Sequence, residues 1–164
     1  MLEPLKPDAP EFASPSKPGW IDISQLLDWI NEENIKDPIE GITVSGGEPF
    51  DQEDALYALL VGARMLNLSA VVFTGYTKEE LMGKPEGRKF FKPSPTIDIL
   101  IDGAYERTEA VQGELRGSAN QRIILLSNRY NESDLAIPGP LECIVEPDGS
   151  VVYTGFTLPP TAMG

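Results

Sequence analysis

An α/β fold follows from three features of the sequence. Short apolar runs alternate with stretches of helical periodicity, two of the runs are near-continuous rather than alternating (Val-Val-Phe at 71–73 and Ile-Asp-Ile-Leu-Ile at 97–101), and several runs stop at a glycine. Near-continuous runs imply parallel strands covered on both faces. The chain of 164 residues suits one domain and can remove roughly 68–70% of its unfolded surface from water.

Residues 1–19 carry Pro4, Pro7, Pro10, Pro15 and Pro18 and little apolar periodicity, so an extended arm is expected there. From Asp22, a candidate N-cap with Gln25 three residues on, Ile23, Leu26, Leu27 and Ile30 recur at helical spacing and predict a helix to about Glu33. The run 41–45 then ends at Gly46-Gly47. An acidic stretch leads into Ala55, Leu56, Leu59, Leu60, Ala63 and Leu66, which reads as strand, tight turn and long helix. A second strand over 70–74 is followed by Gly75-Tyr76 and by Thr77-Lys78-Glu79-Glu80, the spacing of a capping box before a short helix. A third strand spans 96–102 and a fourth 121–126. Two last runs, within about 141–156, flank Pro147-Asp148-Gly149-Ser150 and predict a hairpin, with a tail over 157–164.

Composition excludes several functions. The net charge of −13 repels phosphate backbones and anionic lipid, so neither nucleic acid nor membrane surface is an expected partner. With no histidine, the commonest general base and nitrogen ligand are absent. The single Cys143 rules out an internal disulfide, a zinc finger and any iron–sulfur cluster held by this chain's thiolates alone. Within its apolar run it reads as a small buried hydrophobe, since no histidine is present to activate it. No run approaches a membrane span and no start resembles a signal peptide, so cytoplasmic residence is expected.

Ligand sites of parallel α/β sheets lie at the C-terminal ends of the strands. The first such end is Ser45-Gly46-Gly47-Glu48-Pro49. Its glycines allow close backbone approach, Glu48 offers a carboxylate for an ammonium group, and Pro49 fixes the exit into the helix. On composition alone it is a tight turn whose acids complement the helix dipole. The second end holds Thr74 and Tyr76, the phenol being suited to stacking. The third holds Asp98 and Asp102, on the same face as Leu100, where a buried carboxylate needs a partner or a ligand, although Asp102 before Gly103 is equally a turn aspartate. Arg116, Ser118, Asn120 and Gln121 form a donor-rich loop that could clamp a carboxylate, a phosphate or a partner backbone, or simply be solvated. Glu109 and Glu114 make no convincing acid/base pair, and no catalytic residue is assigned.

Taken in order, the motifs at 45–52, 73–77 with Glu80-Leu81, 97–103 and 115–122 resemble those of the short radical S-adenosylmethionine activating enzymes. The likeness is to the activating proteins of anaerobic ribonucleotide reductase and of pyruvate formate-lyase, and it covers about residues 20–156. It implies a partial (β/α) barrel, S-adenosylmethionine as cofactor held at its amino group by Gly46, Gly47 and Glu48, with Pro49 shaping the turn. By the same resemblance Thr74, Tyr76 and Asp102 would line the cofactor or substrate pocket, and Asn120 and Gln121 match a loop before a barrel strand. It also implies a 4Fe-4S cluster, an electron donor and a glycyl-radical enzyme as partner. The family's Cys-x-x-x-Cys-x-x-Cys loop has no counterpart here, since no cysteine precedes Cys143, and the family's first strand lacks one too.

The chain is therefore expected to be the C-terminal portion of such an enzyme, inactive alone, with a bared edge at its 41–45 strand or that strand's neighbour. The alternative is a cluster-free descendant that binds S-adenosylmethionine or the partner. An unrelated nucleotide-binding domain using Gly46-Gly47 as a phosphate loop is disfavoured by the acids around that turn.

Overall fold

The computed structural model describes residues 21–111 and 114–135, with the backbone of two further strands at 141–145 and 151–155. The proline-rich arm, the hairpin turn at 147–150, the 157–164 tail and the surroundings of the Cys143 side chain lie outside the described residues. The chain divides into two units, residues 1–40 and 41–164.

In the first unit, α1 spans Ile23–Lys36. Asp22 caps it as expected, its carboxylate accepting the Ser24 N–H at 2.8 Å, whereas Gln25 takes no part in the cap. The helix runs three residues past the expected end at Glu33. Lys36 in its last turn pairs with Glu33 at 2.8 Å, and the Asn34 side chain turns back to accept the Ile39 N–H at 3.0 Å.

The second unit is built on a four-stranded sheet in the order β1-β2-β3-β4. β1 (Gly41–Val44), β2 (Ser69–Phe73) and β3 (Ile99–Asp102) are parallel. The links between them carry α2 (Glu53–Met65) and α3 (Lys78–Gly83), as parallel pairing requires. β4 (Arg122–Leu125) pairs antiparallel with β3, Leu100 lying opposite Ile124, which corrects the expectation of parallel strands throughout. The reason is the connection: the described residues of 103–121 hold a short 3-10 turn and no crossover helix, so the chain returns beside β3 in the opposite sense.

The α/β class holds. The sheet is open, with β1 and β4 as half-exposed edges, and does not close into a barrel. β5 (Leu141–Val145) and β6 (Val151–Gly155) pair antiparallel as the sequence predicts and make a separate two-stranded sheet.

The core lies between the sheet and its helices. Leu56 and Leu60 of α2 and Leu81 of α3 pack with Val72 and Leu100 of the two central strands, all almost fully buried. Phe90 closes this layer, meeting Phe50 edge-on at a centroid distance of 4.9 Å and Tyr57 at 5.5 Å. The packing sets the C-terminal ends of β1, β2 and β3 side by side. Among the described residues no helix is long and apolar enough to cross a membrane.

Candidate functional site

A cavity of about 440 Å³ opens at these three strand ends. That volume lies in the range of sites for small molecules and cofactors. Its walls are Ser45 to Glu48 after β1, Phe73 to Gly75 at the end of β2, Gly103 to Tyr105 after β3, and Gly117 with Gln121 before β4. Both glycines of the first turn are left-handed, Gly46 at φ 83° and Gly47 at φ 50°, and no atom lies within 4 Å of where a Cβ would stand on either. Their role is conformational: any other residue here adopts a costly backbone, and the exposed peptide groups stay open to a ligand.

Glu48 ties two of the walls together. One carboxylate oxygen accepts the Phe50 N–H at 3.1 Å, which caps the 3-10 turn Pro49–Gln52, and the Thr74 hydroxyl at 2.8 Å. The other accepts the Gly75 N–H at 2.8 Å. A carboxylate offers about four acceptor positions; the second oxygen therefore keeps one for a donor arriving in the cavity. Pro49 starts the 3-10 turn, as the exit role requires.

Thr74 lines the cavity, whereas Tyr76 and Asp102 frame it. Tyr76 donates its hydroxyl to Asp51 at 3.1 Å and carries the Lys84 ammonium over its ring at 4.3 Å, so it clips the turn after β2 to the turn after β1. That hydrogen bond to an anion holds the Tyr76 phenol above its ordinary range.

Asp102 is fully buried and already partnered. It accepts the Lys78 N–H at 2.7 Å, at the start of α3, and two guanidinium N–H groups of Arg122, one at 2.9 Å. Arg122 reaches on to Glu79 at 2.6 Å, so one side chain joins β4, β3 and α3. The guanidinium is held even more firmly protonated than usual by the two carboxylates, Asp102 first, and Arg122 in turn keeps Glu79 below the ordinary carboxylate range.

Asp98, at the other end of β3, takes the Ala70 N–H at 2.9 Å, the Ser127 hydroxyl at 2.5 Å and Arg64 at 3.3 Å. Both carboxylates on the buried strand have partners within the chain, which answers the need that the sequence raised.

The donor-rich loop turns its donors inward. Gln121 accepts the N–H groups of Gly117 and Ser118 at 2.9 and 3.2 Å and donates to the Gly103 carbonyl at 2.9 Å. Asn120 donates to the Ala104 carbonyl at 2.8 Å, and the buried Ser118 hydroxyl accepts the Glu106 N–H at 3.1 Å. Arg116 pairs with Glu114 and reaches the carbonyls of Ala119 and Gln121. Of this group only Gln121 faces the cavity; Gln121, Asn120 and Ser118 latch the segment after β3 to the loop before β4, while Arg116 bonds within that loop.

Tyr105 and Gly117 line the cavity although nothing in the sequence singled them out, because a lone aromatic or glycine in a loop has no periodic signature. That Tyr105 follows Asp102-Gly103 at a strand end was the available signal.

The expected capping box is present: Thr77 Oγ1 accepts the Glu80 N–H at 3.2 Å and the Glu80 carboxylate accepts the Thr77 N–H at 2.7 Å. These bonds, the Thr77 backbone first, hold Glu80 below its ordinary value of 4.5. A depressed carboxylate stabilises the fold at neutral pH and loses that contribution as pH falls through its lowered value. The Thr77 and Glu80 amide resonances should accordingly titrate together with a midpoint below 4.5, followed by NMR. A midpoint at or above it contradicts the box.

Comparison with known proteins places this geometry. The family model described as "4Fe-4S single cluster domain" matches residues 11–124. An anaerobic ribonucleoside-triphosphate reductase-activating protein of Pasteurella multocida (strain Pm70) is 33% identical over 105 residues, 61% of this chain and 63% of the relative. A protein of the same name from Enterobacteria phage T4 is 30% identical over 92 residues, 54% of each. The chain thus spans less than two thirds of the length of these curated relatives. No solved structure matches.

The donor set does not fit a cluster. Fe–S clusters are held chiefly by several thiolates, whereas this chain has Cys143 alone, on β5 and so in a different sheet from the cavity, and no histidine. Among the described residues no three His, Cys, Asp or Glu side chains gather as a metal would need. The residues that line the cavity, from Ser45 to Gln121, all fall within the matched span 11–124. The chain therefore belongs to the 4Fe-4S single cluster domain family, that of the radical S-adenosylmethionine activating enzymes which its four motifs resemble.

Proposed function

We propose that the cavity at the ends of β1, β2 and β3 binds S-adenosylmethionine, and that the chain is the cofactor-binding portion of a glycyl-radical-enzyme activating protein whose partner is an anaerobic ribonucleotide reductase or a formate-lyase-like enzyme. The observation that carries this is the state of Glu48. Three hydrogen bonds fix its carboxylate at the cavity wall, and an acceptor position remains for an ammonium group. The open peptide groups of Gly46 and Gly47 beside it suit the amino-acid end of the cofactor, while the acids of the turn oppose a phosphate.

S-adenosylmethionine supplies a sulfonium-bound adenosyl group for reductive cleavage. The residues of this chain bind and orient it; the electron for that cleavage, from a donor and a cluster, is not theirs to deliver, so the chain alone is inactive in hydrogen abstraction from a partner glycine. On this reading the parallel strands β1, β2 and β3 form part of a (β/α) barrel.

The lone cysteine favours a second reading, a cluster-free member of the family that binds S-adenosylmethionine or the partner without radical chemistry. Both readings require binding. Titration calorimetry of the purified chain should show saturable uptake of S-adenosylmethionine, displaced by excess methionine and unaffected by ATP. Preference for ATP, or no uptake of S-adenosylmethionine, overturns the assignment of the cavity.

A further inference from the structure

We infer that Tyr105 is the platform on which the nucleobase of the bound cofactor stacks, and that Gly117 is the small residue that lets its ring stand there; this rests on the reading of the cavity as an S-adenosylmethionine site. The cavity has two chemically different ends. Around Gly46, Gly47 and Glu48 it presents peptide groups and a carboxylate, whereas the small residues Gly103, Ala104 and Gly117 line it together with Tyr105, which with the half-buried Phe73 supplies the aromatic part of the lining.

Large apolar side chains are usually withdrawn from water, yet Tyr105 is 57% exposed while lining a concave site. One edge of its ring lies beside Gly117. A Cβ on residue 117 would meet Cδ2 and Cε2 of that ring at 3.2 and 3.4 Å, so the ring edge occupies the space that a side chain at 117 would take. The Gln121 latch fixes both supports of this arrangement, since it bonds the Gly117 N–H and the Gly103 carbonyl. A largely exposed ring with one edge against Gly117, in the same cavity as the Glu48 carboxylate, fits a ligand that carries a flat heteroaromatic group at one end and an amino group at the other.

The test uses three probes on the whole chain by titration calorimetry: S-adenosylmethionine, methylthioadenosine, which keeps the base but lacks the amino acid, and methionine, which lacks the base. Tyr105→Ala should weaken S-adenosylmethionine and methylthioadenosine by roughly 5- to 100-fold, the range of base–aromatic stacking, and leave methionine unchanged. Tyr105→Phe should bind all three as the parent does, because the ring and not the hydroxyl is used. Gly117→Ala, which displaces the ring by crowding its edge, should give an intermediate loss confined to the two base-bearing probes. Equal affinity of Tyr105→Ala and parent for S-adenosylmethionine overturns the platform while leaving the cavity assignment standing. Failure of the parent to bind either S-adenosylmethionine or methionine removes both.

Discussion

Replacing Glu48 by alanine should weaken S-adenosylmethionine binding by about 100-fold and lower the stability of the chain by about 2 kcal/mol. Both losses have one origin. The carboxylate is the shared acceptor for the Phe50 and Gly75 N–H groups and the Thr74 hydroxyl, and so joins the turn after β1 to the turn after β2. Without it the two backbone donors have no protein acceptor, and the ammonium group of the ligand loses its counter-charge. Water reaches this half-buried position and repays part of the hydrogen bonding, which keeps the stability loss to a fraction of the sum over three bonds.

Glu48→Gln separates the two contributions. Its amide fills the same volume, but one of its ends must present a nitrogen to a donor, Gly75 N–H on one side or Phe50 N–H on the other, so an intermediate loss of stability is expected with a loss of affinity close to that of alanine. Urea denaturation and calorimetry of the three proteins check this. Parent-like midpoint and affinity in Glu48→Ala would show that the turns are held by other means.

Anaerobic incubation of the chain with iron and sulfide should leave no 4Fe-4S cluster after desalting, and no cleavage of S-adenosylmethionine should follow addition of a strong reductant. The effect is all or none, because it depends on a count of ligands: one cysteine, located on β5, and no histidine. The same incubation in the presence of a separately made segment bearing a Cys-x-x-x-Cys-x-x-Cys loop distinguishes the two functional readings. Broad visible absorption and cleavage appearing only with that segment mark the chain as the binding portion of a radical enzyme. Binding of S-adenosylmethionine with no cleavage under either condition marks a cluster-free module. A stable cluster on the chain alone would contradict the donor-set reasoning outright.

Much of this architecture is legible in the residues. The Gly46-Gly47 turn, the Thr77 to Glu80 capping box and the hairpin strands are written in local chemistry: a left-handed turn that needs glycine, a hydroxyl and a carboxylate at cap spacing, and strand-length apolar runs either side of a turn. The direction of β4 is not written that way. An apolar run fits a parallel or an antiparallel neighbour equally well, and the deciding fact is that the described residues of 103–121 hold no α-helix.

The site divides along the same line. Gly46, Gly47, Glu48 and Thr74 are visible because each sits at the end of a recognisable strand. Asp102 is visible as a buried carboxylate, but its partner Arg122, a strand away in sequence order and exposed enough to look like an ordinary surface cation, is identified only in three dimensions. The donor-rich loop is misleading for a related reason: composition counts its donors, while only the fold shows that Asn120, Gln121 and Arg116 spend them on carbonyls of their own neighbourhood.

The two buried carboxylates of β3 also govern how the chain can assemble. Asp102 depends on Arg122 at the start of β4, and Asp98 on Ser127 just beyond its end. Until β4 docks, Asp102 has the Lys78 N–H but not its guanidinium, and Asp98 lacks the Ser127 hydroxyl, so part of what offsets their removal from water is missing while β3 stands as an edge. Docking of β4 and closure of the central sheet are thereby coupled into one cooperative event. Intermediates that carry β1, β2 and β3 alone are selected against by the charges at the ends of β3, their edge strand.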